Sequence, residues 1–237
     1  MAKLSQPGAR APVDEADLQA LVEASFPRGR PESARALAST AHTRHVAADE
    51  TIFSQGEQVP PTLVMRGYGA FRRTTVDGQQ LIVGIANPGE IYGISGLSMT
   101  ISSVDMVALT DCVVASWRGN DVRNIAATDP DLAMDVIDRL ALFLNILTEK
   151  LDGFLHQDAR RRVIRVLARH RDLFFSDPPV LSRGHLPGLV GTSREMTGRV
   201  LRQLEREGSV TRVGRAGLRL LDPELLDSVP ETHQTGF

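Results

Sequence analysis

The sequence predicts an α+β chain with an N-terminal antiparallel β-roll, a long helix suited to self-pairing and a C-terminal winged helix-turn-helix. Three observations predict it. Short apolar runs between about Val46 and Trp117 are punctuated by glycine, as in antiparallel sandwiches and barrels. Apolar residues then recur in alternating steps of four and three from Ala133 to Phe154, the period of a coiled-coil seam. Finally, Gly191-Thr192-Ser193 opens an amphipathic stretch that ends at Gly208 and precedes a glycine-centred hairpin.

Taken in order, residues 1–13 are rich in Ala, Pro, Gly and Ser and read as a mobile tail. Two short helices follow, Asp14 to about Ala24 and Glu32 to Thr40, parted by the breaker Pro27-Arg28-Gly29-Arg30-Pro31. Strands are expected at Thr51–Phe53, Thr62–Met65, Ala70–Thr74, Gln80–Ile85, Met106–Leu109 and Cys112–Ser116, with Asp77-Gly78 as a hairpin turn. Asp129-Pro130-Asp131 supplies a cap and first turn for a helix from Asp131 to about His156. Its seam residues Ile137, Leu140, Leu144, Leu147, Leu151 and Phe154 would meet a second copy of the same helix. Val136, Phe143 and Ile146 form a second apolar edge that would pack on the β domain. Asp158-Ala159 reads as a hinge, followed by a helix over Arg160–His170, a turn at Ser176–Pro179 and a short helix over His185–Val190. The expected domains are therefore 14–128 (an effector-type β-roll with flanking helices), 129–157 (dimerisation helix) and 158–237 (winged helix-turn-helix).

The stretch after Gly191 carries the chemistry. Val200, Leu201 and Leu204 can face inward, leaving Arg194, Glu195 and Arg199 near the exposed start of the helix and Arg202 one turn on. Recognition helices meet base edges through their N-terminal residues. Arginine donates two parallel hydrogen bonds to guanine and glutamate accepts one from cytosine, so Arg-Glu-x-x-x-Arg suits a G·C-containing half-site. The plainer reading is a charged surface helix with i,i+4 pairs. The segment beyond the helix weighs against it: Val210–Val213 and Leu218–Leu221 flank Gly214-Arg215-Ala216-Gly217, a wing carrying Arg212, Arg215 and Arg219. Charge agrees. From Ala159 onward the chain has 14 Arg, no Lys and 9 Asp or Glu, a net +5, whereas residues 1–158 carry −7. A basic C-terminal third on an acidic body is the footprint of phosphate attraction confined to one domain.

Other classes recede. With 42% apolar residues in 237, the chain can bury a core, yet no apolar run reaches the length of a membrane span and no secretory h-region opens it. The single cysteine, Cys112, forbids an intrachain disulfide and suits a reducing cytoplasm. No Ser/His/Asp set, HExxH, phosphate loop or carboxylate cluster marks an enzyme, and no metal site is expected.

The order of elements resembles the cyclic-AMP receptor protein / fumarate-and-nitrate-reduction regulator superfamily of bacterial transcription factors, over about residues 40–222. The resemblance is most specific at Gly191–Arg199. Gln55-Gly56-Glu57, Pro88-Gly89-Glu90-Ile91-Tyr92-Gly93 and Ala108-Leu109-Thr110-Asp111-Cys112 support it. It implies a cyclic-nucleotide-binding-like jelly roll and base reading of a palindromic TGTGA-like site by Arg194, Glu195 and Arg199 of a homodimer. It also implies phosphate contacts from Arg183 and Ser193, with Arg202, Arg212 and Arg215 expected to add to them, and RNA polymerase as a partner.

The effector side departs from the family. Gly93 is followed by Ile94-Ser95 where nucleotide-binding members have glutamate, and Ile101-Ser102-Ser103-Val104-Asp105 brings no arginine before Met106-Val107-Ala108-Leu109, where they carry an Arg-Ala or Arg-Ser pair. Without that arginine a cyclic phosphate loses its charge-assisted partner, so cyclic AMP is not expected to bind. Iron–sulfur ligation is likewise not expected from one cysteine on a core strand. Haem ligation by His42 or His45 stays open, as does another small molecule held near Ile94, Ser95, Ser102, Ser103, Asn145 and Thr148, or no effector at all. The alternative function is a ligand-sensing protein-interaction module without DNA binding.

Overall fold

The structure, a computed structural model, describes residues 15–227 except Asp77, Gln79 and Met99, and excludes the side chains of Phe154 and Leu155. The expected tail over 1–13 and the seam side chain of Phe154 therefore fall outside the described residues.

Helices α1 (Glu15–Ser25) and α2 (Pro31–Thr40) form an N-terminal hairpin. Leu18 and Val22 share one face of α1 at i,i+4 spacing and are buried with Phe26 and Leu37. Strands β1 (His42–Val46), β3 (Thr62–Arg66), β6 (Ile91–Tyr92) and β8 (Cys112–Ser116) make one antiparallel sheet in the order β1-β8-β3-β6. Strands β2 (Thr51–Phe53), β4 (Gly69–Thr74), β5 (Gln80–Ala86) and β7 (Asp105–Ala108) make another, in the order β2-β7-β4-β5. Between them lies a packed interior that includes Phe53, Val64, Phe71, Tyr92, Met106 and Val114. The strands joined by the predicted hairpin pair as expected, Thr74 opposite Gln80, with Gly78 at φ +74°.

The outer face of the first sheet is covered by α1, α2, α3 (Gly119–Thr128) and the start of α4 (Pro130–His156); Leu63, Ala115, Trp117, Val122 and Leu132 meet there. Trp117 satisfies its indole by donating Nε1–H to the Leu37 carbonyl at 2.8 Å. Asp129 caps α4, accepting from the backbone N–H of Leu132 (3.3 Å) and of Arg30 (2.8 Å) and from Ser33 Oγ (2.6 Å). Burial alone would raise its pKa, but these donors, aided by the Arg30 charge, hold it below the usual carboxylate value. A second carboxylate, Asp135, accepts from the Arg28 backbone N–H at 2.9 Å. The long helix is thereby tied at its base to the α1–α2 connection.

Two faces of α4 separate as the periodicity predicts. Val136 and Ile146 are buried, whereas Ile137, Leu140, Leu144, Leu147 and Leu151 are 39–62% exposed in the single chain. Past Gln157 and Asp158, the C-terminal unit comprises α5 (Ala159–Arg169), α6 (Arg171–Phe174), α7 (Leu186–Val190), α8 (Arg194–Arg206), strands β9 (Val210–Val213) and β10 (Gly217–Leu220), and α9 (Glu224–Asp227). Its core is Val163, Leu167, Phe174, Leu186, Leu204 and Val210, continuous with Ile82 and Ile85 of the roll.

Candidate nucleic-acid interface

Helix α8 begins where three local signals agree. Gly191 adopts the left-handed region (φ +65°) that closes α7 and turns the chain. Ser193 then caps α8, its Oγ accepting from the Met196 backbone N–H at 3.1 Å. Thr197, Val200, Leu201 and Leu204 point into the core against α5. The opposite face, with Arg194, Glu195, Arg199 and Arg202, is exposed. Arg199 Nη2 lies 3.0 Å from Glu195 Oε1. An exposed pair of this kind is worth little, so the guanidinium can exchange Glu195 for another acceptor at small cost. At the other end of the helix Glu207 accepts from Arg160 at 2.7 Å, which holds its carboxyl below the usual range and joins α8 to the first turn of α5.

The wing is braced from outside. Arg183 Nη2 donates to the carbonyls of Gly214 (3.2 Å) and Arg215, and its backbone N–H to Ala216 at 2.9 Å. Arg212 pairs with Glu205, Nε to Oε2 at 3.2 Å. Arg215 stands exposed in the turn itself. Of the residues expected at phosphates, Arg183 and Arg212 thus also shape the wing, while Arg202 and Arg215 have exposed side chains and Ser193 is occupied as a cap. These internal bonds were not legible in the sequence, since they join residues 7 to 33 positions apart.

The C-terminal unit is seated on the roll. Helix α7 lies along β5, where the Gly188 Cα approaches so closely that an added methyl would meet the Gln80 carbonyl at 3.2 Å and Ile82 Cγ1 at 3.1 Å. A groove shared by Arg194, Gly191, Arg72 and Gln80 runs between the start of α8 and the β4–β5 hairpin. Deeper in the same junction Lys150 donates to the Val83 carbonyl, and burial, with Arg169 nearby, pushes its pKa down to about 8. Next to it, burial and the charges of Arg169 and Lys150 push the His170 imidazole from 6.5 to about 3. The unfolded chain takes up that proton near 6.5 and the folded chain only near 3, so acid favours unfolding across this window. The thermal midpoint should fall between pH 6.5 and 3 in the natural chain and fall less in His170→Leu, as calorimetry would show.

The residues expected to hold an effector are dispersed. Ile94 is buried, but with α1–α3 rather than in the roll interior. Ser102 is buried and donates to the Val104 carbonyl at 2.6 Å. Ser95, Ser103, Asn145 and Thr148 are exposed, and Thr148 donates to Leu144 within its own helix. The roll interior is occupied by Phe71, with ring centroid 5.1 Å from Tyr92 and 6.4 Å from Phe53. Tyr92 Oη donates to Glu90 at 2.6 Å and accepts from the Asn87 N–H at 2.8 Å; burial and the Glu90 charge raise its pKa far above the usual value. His42 and His45 are both exposed on β1, where residues three apart face opposite sides, so the structure does not bring them together. Cys112 is buried on β8, its thiol pKa raised by burial and its Sγ donating to the carbonyls of Tyr68 and Thr110.

Comparison with known proteins finds two families along the chain. Residues 43–129 match the cyclic nucleotide-binding domain family, and residues 139–229 the Crp-like helix-turn-helix domain family. The chain is 27% identical over 186 residues to the cAMP-activated global transcriptional regulator Vfr of Pseudomonas aeruginosa, covering 73% of this chain and 87% of that protein. It is 29% identical over 180 residues to the cyclic AMP receptor protein of Thermus thermophilus, covering 75% and 83% respectively. Among solved structures, the c-di-GMP responsive global regulator CLP of Xanthomonas campestris superposes with a TM-score of 0.68 at 23% identity, over 81% of this chain and 99% of that one. This last likeness shows the shared fold. No helix among the described residues is long and apolar enough to cross a membrane.

Proposed function

Since the chain belongs to the CRP/FNR superfamily of DNA-binding transcription regulators, we propose that it acts as a homodimer on a palindromic TGTGA-like site. The observation that carries this reading is the N-terminal turn of α8, where Arg194, Glu195 and Arg199 are the exposed face of a helix whose other face is locked into the core. In the reading, Arg194 and Arg199 donate to guanine edges and Glu195 accepts from cytosine. Arg202, Arg215 and the Arg183-braced wing meet phosphates, with Arg212 and the Ser193 turn beside them. The exposed leucine seam of α4 supplies the two-fold contact, and a C2 pair presents its recognition helices to half-sites about one helical turn apart. RNA polymerase is the proposed protein partner at promoters. The division proposed is a roll to 128, a pairing helix over 129–157 and a DNA-binding unit from 158.

Two of the relatives are named for cyclic AMP; here we assign the roll no cyclic nucleotide. No arginine stands in Ile101–Asp105 ahead of β7, where Ser102 is buried with its hydroxyl already bonded to Val104, and Ile94 puts an apolar side chain where the family has glutamate. The alternative of a protein-interaction module gains nothing from relatives that are transcription regulators.

Fluorescence anisotropy with a palindromic TGTGA duplex and a scrambled one of equal length tests the reading. Arg194→Ala and Arg199→Ala should each cost about 1–3 kcal/mol on the palindrome and much less on the scrambled duplex, with cyclic AMP leaving both curves in place. Equal losses on the two duplexes would overturn base reading, and a cyclic AMP-dependent gain would overturn the effector assignment.

A further inference from the structure

The chain relies on arginine almost everywhere it carries a cation: of its 27 lysines and arginines, only Lys3 and Lys150 are lysine. Lys3 lies outside the described residues, which leaves Lys150 as the one lysine of the described fold. The two side chains differ in chemistry. A guanidinium stays protonated at any ordinary pH, whereas a buried lysine amine readily gives up its proton and becomes a nucleophile. That amine stands in the wall of a cavity.

The cavity, of about 320 Å³, lies at the junction of the roll, the long helix and the DNA-binding unit, walled by β5, the last turns of α4, α5 and α7. None of the residues expected to hold an effector lines it. Its walls are mainly aliphatic, with Ile82, Val166 and Leu189 among them, and its volume falls at the lower end of those that hold small organic molecules (roughly 300–1,000 Å³). Lys150 is half-buried there and donates to the Val83 carbonyl, an acceptor that an uncharged amine satisfies as well as an ammonium does. Ionisable groups reach the lining from Glu149 on α4, from Arg162, Arg165 and Arg169 on α5 and from His170 just beyond it, while β5 and α7 bring none. Burial, and after it the Arg169 charge, holds the amine at about 8. At about pH 7.5 roughly a quarter of it is therefore uncharged, against about 0.1% of an ordinary lysine.

We propose that Lys150 captures small aldehydes: an aldehyde with an aliphatic body enters the junction cavity and condenses with the Lys150 amine to form an imine. The uncharged nitrogen attacks the carbonyl carbon, the carbonyl π pair moves to oxygen, and a proton passes from nitrogen to oxygen to give a carbinolamine. Its hydroxyl then leaves as water with one proton from solvent, and the nitrogen lone pair closes the protonated imine. From the resting ammonium the sum is ammonium and aldehyde to iminium and water, so nothing is oxidised or reduced and the charge of the site is unchanged. The one remaining N–H of the iminium can keep the Val83 carbonyl, and the aldehyde chain lies against Ile82, Val166 and Leu189. Walls that keep water out also protect the imine from hydrolysis. An arginine here could not take part, because its guanidinium is never a free base. Capture depends on the amine and the cavity alone and does not rest on DNA binding.

Reductive trapping in the full-length chain, without DNA, tests the site. The protein is incubated at about pH 7.5 with hexanal and sodium cyanoborohydride, and peptide mapping follows alkylation separately at Lys150, at Lys3 and at the α-amino group, whose own pKa lies near 8. Lys150 should be alkylated about tenfold faster than Lys3 or more. With glycolaldehyde, which has no apolar body to bury, the ratio of Lys150 to Lys3 should fall by about tenfold or more. Val166→Trp, checked for native circular dichroism, fills the cavity and should bring Lys150 down to the rate of Lys3 or below it. Equal rates at the two lysines, or the same preference for hexanal over glycolaldehyde at both, would overturn the site, as would an unchanged Lys150 rate in folded Val166→Trp. The first two comparisons are made within the natural chain and stand whether or not the variant folds. No readout depends on DNA, so failure here leaves the duplex experiment intact, and failure there leaves this one intact.

Discussion

Replacing Leu144 and Leu147 together by glutamate is expected to leave a folded monomer whose affinity for a palindromic duplex has fallen by about 100-fold or more. Both side chains are substantially exposed in the single chain, 62% and 43%, so neither holds up the core of its own protomer. In a two-fold pair each leucine would be buried twice, at roughly 1.5–3 kcal/mol per side chain, and the variant would instead set four carboxylates on one apolar seam. A monomer keeps its recognition helix but loses the second, tethered one, and with it the effective concentration that tethering provides. Sedimentation velocity at micromolar protein reads the first effect and anisotropy the second. A double variant that still sediments as a dimer would place the pairing surface elsewhere.

Gly96→Ala should destabilise the roll by about 3 kcal/mol or more, at the upper end of overpacking costs. A β-carbon at Gly96 would lie 2.9 Å from the Val59 carbonyl carbon and closer still to its oxygen, and Gly119 abuts the Gly96 carbonyl from the other side. Both obstacles are backbone, so no rotamer relieves them. At about 2–4 °C per kcal/mol for a domain of this size, the thermal midpoint should drop by roughly 6–12 °C. Gly56 provides the contrast. It has φ +89° and nothing within 4 Å of an added β-carbon, so Gly56→Ala should cost only the left-handed backbone, about 1–2 kcal/mol. Equal midpoints for the two variants would mean that the Val59 segment yields to the extra atom.

Legibility in the sequence depended on agreement between independent local rules. Helix α8 was readable because a cap at Ser193, inward residues at Val200, Leu201 and Leu204 and a stop at Gly208 point to the same element. The seam of α4 was readable because its period is long and its opposite edge, Val136 and Ile146, is buried. Strand β1 was missed because its first four residues face solvent and show no alternation, and β6 because it is two residues long. Helix α3 went unrecognised for want of a side-chain cap at Arg118.

The site divided along the same line. Arg194, Glu195 and Arg199 are local to one helix turn, so their shared exposure could be foreseen. The partners of Arg183 and Arg212, the seat of Gly188 on β5, and the partial burial of Lys150 and His170 all depend on which surfaces meet in three dimensions. No spacing rule records those encounters.

The moorings of α4 carry one mechanical consequence. Asp129 and Asp135 fasten its base to the N-terminal helices, and Lys150 fastens its last turns to β5, so most of the rod cannot travel independently of the roll. What remains to swivel is the short joint of Gln157 and Asp158, and only when α7 lifts from its seat on β5. If each member of a symmetric pair turns about its own joint, the gap between reading heads changes by twice the excursion of either one. Set against a duplex whose successive major grooves lie about 34 Å apart, a small twist at two residues is enough to bring both heads into phase or put them out of it.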